Sequence, residues 1–182
     1  MHGLLLLADG FEDTEALTTR DVLIRSGLII TCASIKDDPL VTSSHGISFS
    51  INNKLLKDLN LNDYDFLILP GGGRGTQNLL ASKLVEQAVH HFMGKHQLVS
   101  AICAAPMVLA KYGYLHGKKF TCYRGCEEGL DGIYTGEKVE HVDNIITGRS
   151  MLASVDFALE IIETLQGKTQ REKIYDQING KY

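Results

Sequence analysis

What this sequence lacks narrows it first. Its four cysteines, Cys32, Cys103, Cys122 and Cys126, are too few to staple a chain of this size, so a disulfide scaffold is excluded. Cys122 and Cys126 stand four apart, with no further Cys or His at metal-ligand spacing, and no metal site is expected. Unpaired thiols place the chain in a reducing compartment, read as the cytoplasm. No apolar run approaches the roughly 20 residues that span a bilayer. The opening Met1-His2-Gly3-Leu4-Leu5-Leu6-Leu7 carries no basic leader, and its apolar run is shorter than a secretory signal needs. Positive charge is not in excess either. A net charge of −4 gives no basis for nucleic acid or an anionic membrane surface as a partner. Internal repeats, low-complexity tracts and linkers are also missing.

What is present reads as one domain, residues 1–182, because 44% apolar and 22% charged residues are ordinary for a globular chain of this length. Short apolar runs alternate with helical patterns, and that alternation signals a parallel sheet covered on both faces. Strands are predicted over 4–8, 28–35, 66–69, 98–102, 119–123 and 144–147. Helices are predicted over 13–26, around 77–80, and over 83–93, 104–112, 153–165 and 170–178. Gly27, Gly113, Gly167 and Gly180 stand as helix stops. A hairpin is predicted over 39–51, with Ser43-Ser44-His45-Gly46 as its turn. The fold class is α/β, a doubly wound and mostly parallel sheet with helices on both faces. Sites in such sheets form at the carboxyl ends of the strands. Three strand ends carry unusual residues, 9–15, 70–75 and 102–106, and they should converge.

Val99-Ser100-Ala101-Ile102-Cys103-Ala104-Ala105-Pro106 puts a cysteine where an apolar strand turns into a helix. Small residues on both sides suit a sharp elbow, where bulkier β-carbons clash. A thiol there faces the positive end of the following helix, which predicts a lowered pKa and a nucleophilic thiolate. The bland alternative, a buried small hydrophobe, suits Cys32 inside its strand better. Pro70-Gly71-Gly72-Gly73-Arg74-Gly75 matches no nucleotide-binding fingerprint. Beside Cys103, the amides of Gly72 and Ala104 would form an oxyanion hole, while a tight turn needing positive φ also explains the glycines. Gly10-Phe11-Glu12-Asp13-Thr14-Glu15 sets three acids at a helix start. Capping accounts for Glu12 and Asp13. Glu15, on the sheet side of that first turn, points at the elbow, and a carboxyl buried beside a thiolate holds its proton.

Together these stretches, with Gly75-Thr76-Gln77-Asn78-Leu79 and Thr147-Gly148-Arg149, resemble the ThiJ/PfpI superfamily, specifically its DJ-1 branch, nearly end to end. The resemblance implies a flavodoxin-like sandwich, a homodimer and a cysteine that oxidises readily. It implies that Glu15 hydrogen-bonds Cys103, with Gly71, Tyr123, Arg124 and Arg149 as substrate-binding candidates. It also implies a glyoxalase-type conversion of methylglyoxal to lactate, deglycase removal of glyoxal adducts from thiols and amines, and roles in oxidative stress and chaperoning. No cofactor is implied. Two departures matter. Peptidase-like relatives have His directly after the cysteine, where this chain has Ala104, which disfavours a Cys–His hydrolase. DJ-1 relatives often carry His in the loop after the elbow helix, where this chain has Tyr123-Arg124, so a phenol or guanidinium would have to polarise the substrate. His45 falls near an anion-binding Arg of some relatives, which weakens a phosphate pocket.

The sequence therefore predicts a cofactor-free, cysteine-dependent protein acting on small reactive aldehydes or on glycated thiols and amines. The alternative is a non-enzymatic redox sensor or chaperone working through oxidation of Cys103. A glutamine amidotransferase shares the elbow but needs a downstream His, and His141, on a strand expected over Glu140-His141-Val142-Asp143 and near its turn, is the residue available.

Overall fold

A computed structural model of the chain describes residues 1–52 and 54–181. Strand β1 (His2–Leu7) contains four consecutive leucines. Neighbouring side chains in a strand face opposite sides, so such a run must be covered twice. Leu4 and Leu6 enter one core with Leu67, Leu69 and Val99. Leu5 and Leu7 enter a second core with Phe66, Ile68 and Ile102.

The chain continues through α1 (Asp13–Arg25), β2 (Ile29–Ser34), β3 (Leu40–Thr42), β4 (Ser48–Ser50) and β5 (Phe66–Leu69). Next come α2 (Gly73–Ala81), α3 (Lys83–Gly94), β6 (Leu98–Ile102), α4 (Pro106–Lys111), β7 (Lys119–Phe120) and β8 (Ile133–Tyr134). It ends with β9 (Val139–Val142), β10 (Ile145–Gly148), α5 (Ser154–Gln166) and α6 (Lys168–Ile178). The main sheet has the order β2-β1-β5-β6-β10-β9. Every neighbouring pair is parallel except β9 with β10. Helices α1, α5 and α6 pack on one face, and α2, α3 and α4 on the other. This is the doubly wound, flavodoxin-like arrangement that the alternation predicts. No helix among the described residues is long and apolar enough to cross a membrane.

The order of strands fixes where a site can form. From β1 the chain moves outward to β2, then returns to β5 on the other side of β1 and moves on to β6. That reversal opens a crevice beyond the carboxyl ends of β1 and β5. The register, with Leu69 opposite Ala101, brings the end of β6 alongside.

Three elements depart from the sequence expectation. The strand predicted over 119–123 ends at Phe120 and pairs with β8 rather than with the main sheet. Thr121 instead donates its N–H to Thr147 Oγ1, and Tyr123 donates its N–H to Cys103 O. The helix predicted from residue 104 starts at Pro106, because Cys103 takes a left-handed backbone and Ala105 N–H closes a turn onto Ile102 O. The two-residue β8 is an addition, and the edge strand β9, expected around His141, folds back on β10 through Asp143 at φ 55°. Its partly exposed Val-Glu-His-Val carries too little apolar signal to be read as a core strand.

Candidate active site

Cys103 sits one residue beyond β6 at φ 63°, an uncommon conformation for a residue with a β-carbon. Its backbone is tied on two sides. The N–H donates to Gly148 O at 2.8 Å, and the carbonyl accepts Tyr123 N–H at 2.8 Å. Strain at such a position persists where the surroundings over-determine it. Within the Thr-Gly-Arg stretch it is Gly148, and not the expected Arg149, that meets Cys103, its carbonyl fixing the elbow. A glycine there was the available signal: a β-carbon would come within 2.9 Å of the Ile102 side chain.

The glycines after β5 allow three chain segments to touch. A β-carbon on Gly71 would lie 2.7 Å from both Cys103 Cβ and Glu15 Oε2. Gly72 holds φ 92°, and a β-carbon there would lie 2.3 Å from Gly10 O. Tight turn and close approach are therefore both required of this stretch. Gly71 O accepts Glu12 N–H at 3.0 Å, binding the loop to the start of α1. The N–H groups of Gly72 and Ala104 are directed at the Cys103 sulfur.

Glu15 comes from the first turn of α1, where the Glu12 carboxylate caps the helix by accepting Glu15 N–H at 2.6 Å. The Glu15 side chain is 1% exposed. Its Oε2 accepts Gly71 N–H at 2.9 Å. The carboxyl lies within hydrogen-bonding reach of the Cys103 sulfur, and Oε1 has no aligned partner. Burial, with Glu12's charge adding to it, lifts Glu15 to about 7 against the pull of Cys103 and Gly71 N–H. Cys103 moves upward as well. Burial is the largest cause, the Glu15 charge and hydrogen bond come next, and the Gly72 and Ala104 amides oppose them.

This corrects the expected thiolate. Helix α4 is only six residues long and begins three residues past the sulfur, so its dipole is a small influence beside burial and a carboxylate. The two groups form a coupled pair that loses its protons in two steps. Near neutral pH the thiol keeps its proton beside a partly ionised carboxyl that can receive it.

The other sequence candidates separate. Cys103, Glu15, Gly71, Gly72 and Ala104 come together. Tyr123 joins through its backbone, while its side chain is 54% exposed. Arg124 is exposed on the same loop. Arg149 is exposed and directs its guanidinium at Gly136 O, 2.8 Å away. His141 lies on β9 and bonds Glu160 and Asp143 O, so it serves no Cys103 relay and the amidotransferase reading loses its histidine. Cys32, Cys103, Cys122 and Cys126 are all free thiols. Cys122 is fully buried and pushed up to about 12 by burial, with its neighbours Cys126 and Glu127 adding to it.

Glu12, Asp13 and His45 bring ligand-type atoms within 4.8 Å of one another. Existing bonds explain them. Glu12 caps α1, and Asp13 Oδ2 accepts from Ser44 Oγ and His45 Nδ1. Burial works against the ionised form of Asp13, yet the hydrogen bonds from Ser43, His45 and Ser44 outweigh it and hold the carboxyl at about 2.

Comparison with known proteins adds four findings. A family model, that of the DJ-1/PfpI family, matches residues 2–164. The glutathione-independent glyoxalase DJR-1.2 of Caenorhabditis elegans is 30% identical over 167 residues, covering 90% of this chain and 88% of that protein. Among solved structures, Drosophila melanogaster DJ-1beta superposes with a TM-score of 0.91 at 32% identity, over 97% of this chain and 96% of that one. Toxoplasma gondii DJ-1 in an oxidized form gives 0.90 at 29% identity, over 97% of each chain.

Proposed function

The chain belongs to the DJ-1/PfpI family, and from that premise we propose that it processes small oxoaldehydes without a cofactor, with Cys103 as nucleophile and Glu15 as acid and base. One observation carries the reading. A thiol, a buried carboxyl held near 7 and two amides directed at the sulfur meet at one point. The glyoxalase name of the nematode relative supports the substrate class.

The steps follow from the pair. As Sγ bonds the aldehyde carbon of methylglyoxal, the thiol proton passes to Glu15 and on to the carbonyl oxygen, giving a hemithioacetal. Glu15 then takes the proton from the same carbon and returns it to the neighbouring ketone carbon, while the hydroxyl proton on the first carbon passes to the ketone oxygen. The first carbon is oxidised to the acid level as the second is reduced to an alcohol, so no outside redox partner enters. Water cleaves the resulting thioester to lactate and the free thiol. The Gly72 and Ala104 amides hold the oxygen anion that forms at each addition. A carboxyl near 7 suits both halves of the proton transfer at neutral pH. Glyoxal adducts on thiols and amines would enter by the same attack. Tyr123 and Arg124, on the loop tied to Cys103 O, are the candidates to meet the rest of the substrate.

Lactate formation from methylglyoxal, followed through many turnovers per enzyme, tests this. Cys103→Ser should abolish turnover, and Glu15→Gln should lower it at least ~100-fold, the range general acid–base catalysis supplies. Full activity in either variant sinks the mechanism.

A second reading is favoured by the oxidized form of the Toxoplasma relative. A hydroperoxide would transfer oxygen to the Cys103 sulfur, leaving an alcohol and a sulfenic acid. A second transfer gives sulfinate, with Glu15 and the two amides as its donors. Mass spectrometry after mild peroxide, beside the absence of lactate turnover, would favour a sensor.

A further inference from the structure

Glu12 and Glu15 have the spacing of a helix capping box, in which the acid three residues after the cap turns its carboxyl back to the cap's own N–H. That return bond is replaced here. Glu12 N–H donates to Gly71 O at 3.0 Å, which leaves the Glu15 carboxyl to accept Gly71 N–H at 2.9 Å and to face the Cys103 sulfur. Glu15 N–H donates to Glu12 Oε2 at 2.6 Å, so three hydrogen bonds close a ring through Glu12, Gly71 and Glu15. Capping alone does not select a glutamate for that ring. Ser, Thr and Asn supply the same acceptor oxygen from shorter side chains and bring no charge. A glutamate sets a negative charge beside a carboxyl that is itself almost wholly buried. Of the influences that raise Glu15, burial comes first and the Glu12 charge second.

We propose that Glu12 is a positioning residue for the reaction: it clamps Glu15 against Gly71 and opposes its ionisation. This rests on the reading of Glu15 as the acid and base of the site. Among the described residues, the Glu15 carboxyl is faced by Cys103 from beyond β6, by Gly71 N–H from beyond β5 and by Glu12 from its own helix, and none of these is a cation. Glu12 is faced in turn by Asp13 and, from the hairpin turn, by His45, which Asp13 draws upward first and Glu12 last. Without the Glu12 charge, Glu15 is a weaker base at the moment it must take the thiol proton.

Carbon-13 NMR of the Glu15 side-chain carboxyl, followed from about pH 4 to about pH 9 in the whole chain, tests this. Its resonance is identified by its loss in Glu15→Gln. Glu12→Gln keeps an oxygen for Glu15 N–H and drops the charge, Glu12→Ser is a neutral cap of the preferred kind, and Glu12→Asp keeps both cap and charge. In the Gln and Ser variants the midpoint should fall by ~0.5 of a pH unit or more, the size a like charge a few Å away produces through a partly wet medium. In Glu12→Asp it should stay near the wild-type value of about 7. The acid limb of methylglyoxal turnover should move in the same direction. The same series in a His45→Gln background keeps the imidazole out of the titration. A midpoint that does not move when the charge is lost overturns the assignment. So does an equal fall in Glu12→Asp, which would make the length of the cap decisive and its charge irrelevant. A chain that forms no lactate would end the proposed function, while the midpoint, read without turnover, still decides whether Glu12 governs Glu15.

Discussion

Glu15 is the residue whose burial costs the protein something it can use. At 1% exposure its ionised form is stripped of water, and its one aligned donor, Gly71 N–H, does not make up the loss. The carboxyl's folded pKa of about 7 stands above its ordinary 4.5. A raised folded value means the stabilising contribution is whole below the ordinary carboxylate range and is lost as pH rises through 7. The difference corresponds to something on the order of 3 kcal/mol. Glu15→Gln removes the titration while leaving an oxygen for Gly71 N–H. The variant should match the wild type at pH 4 and exceed it in stability by about 2–3 kcal/mol at pH 8, in urea unfolding at both pH values. Because burial leads the causes, the pH dependence should persist in Cys103→Ala. A wild-type stability that is flat between pH 5 and 8 would show that the carboxyl ionises as it does in water. The variant that gains stability is also the one expected to lose turnover, as a strained functional group requires.

At the scale of elements, the loop from β5 into α2 shows what sequence can and cannot say. Gly72 and Gly113 both hold positive φ, at 92° and 78°, but only Gly72 is crowded, with Gly10 O and Glu12 N in the way of a β-carbon. Gly113→Ala should therefore cost about 1–2 kcal/mol, the left-handed penalty alone. Gly72→Ala should cost more and should also open the Cys103 site, read as a loss of turnover beyond that in Gly113→Ala. Equal stability losses in the two variants would count against the backbone contact. The strands at 66–69 and 98–102 were legible end to end because the first is an uninterrupted apolar run, the second is broken only by the small Ser100, and both are covered on both faces. The meeting of residues 15, 71 and 103 was legible too, since all three follow or flank strand ends. Burial of Glu15 was legible as well, but not that of the Cys103 sulfur. The direction of the Cys103 shift depends on Glu15, 88 positions earlier, and on how completely Gly71 closes over both. The early end of β7 at Phe120 was hidden for a related reason: Thr121 found a side-chain acceptor on β10 that no local pattern announces.

For the molecule as a whole, one sheet serves two cores. Alternate leucines of β1 belong to opposite clusters, so loss of either core removes the support of the other. A chain built this way should unfold in a single cooperative step, and that simplicity makes association measurable. The family resemblance implies a homodimer, and large apolar side chains remain exposed on the single chain, Leu152 at 84% and Ile29 at 62%. Scattered exposed side chains alone require no partner. The test is therefore thermodynamic. If folding and pairing are linked, the partner acts as a ligand for the native state, and the unfolding midpoint must rise with protein concentration. Sedimentation equilibrium at micromolar concentration should then give twice the 20.0 kDa of the chain. Thermal unfolding over a hundredfold concentration range should show an upward drift in the midpoint. A 20.0 kDa species with a midpoint independent of concentration would make this protein a monomer, and its Cys103 site would then be complete within one chain.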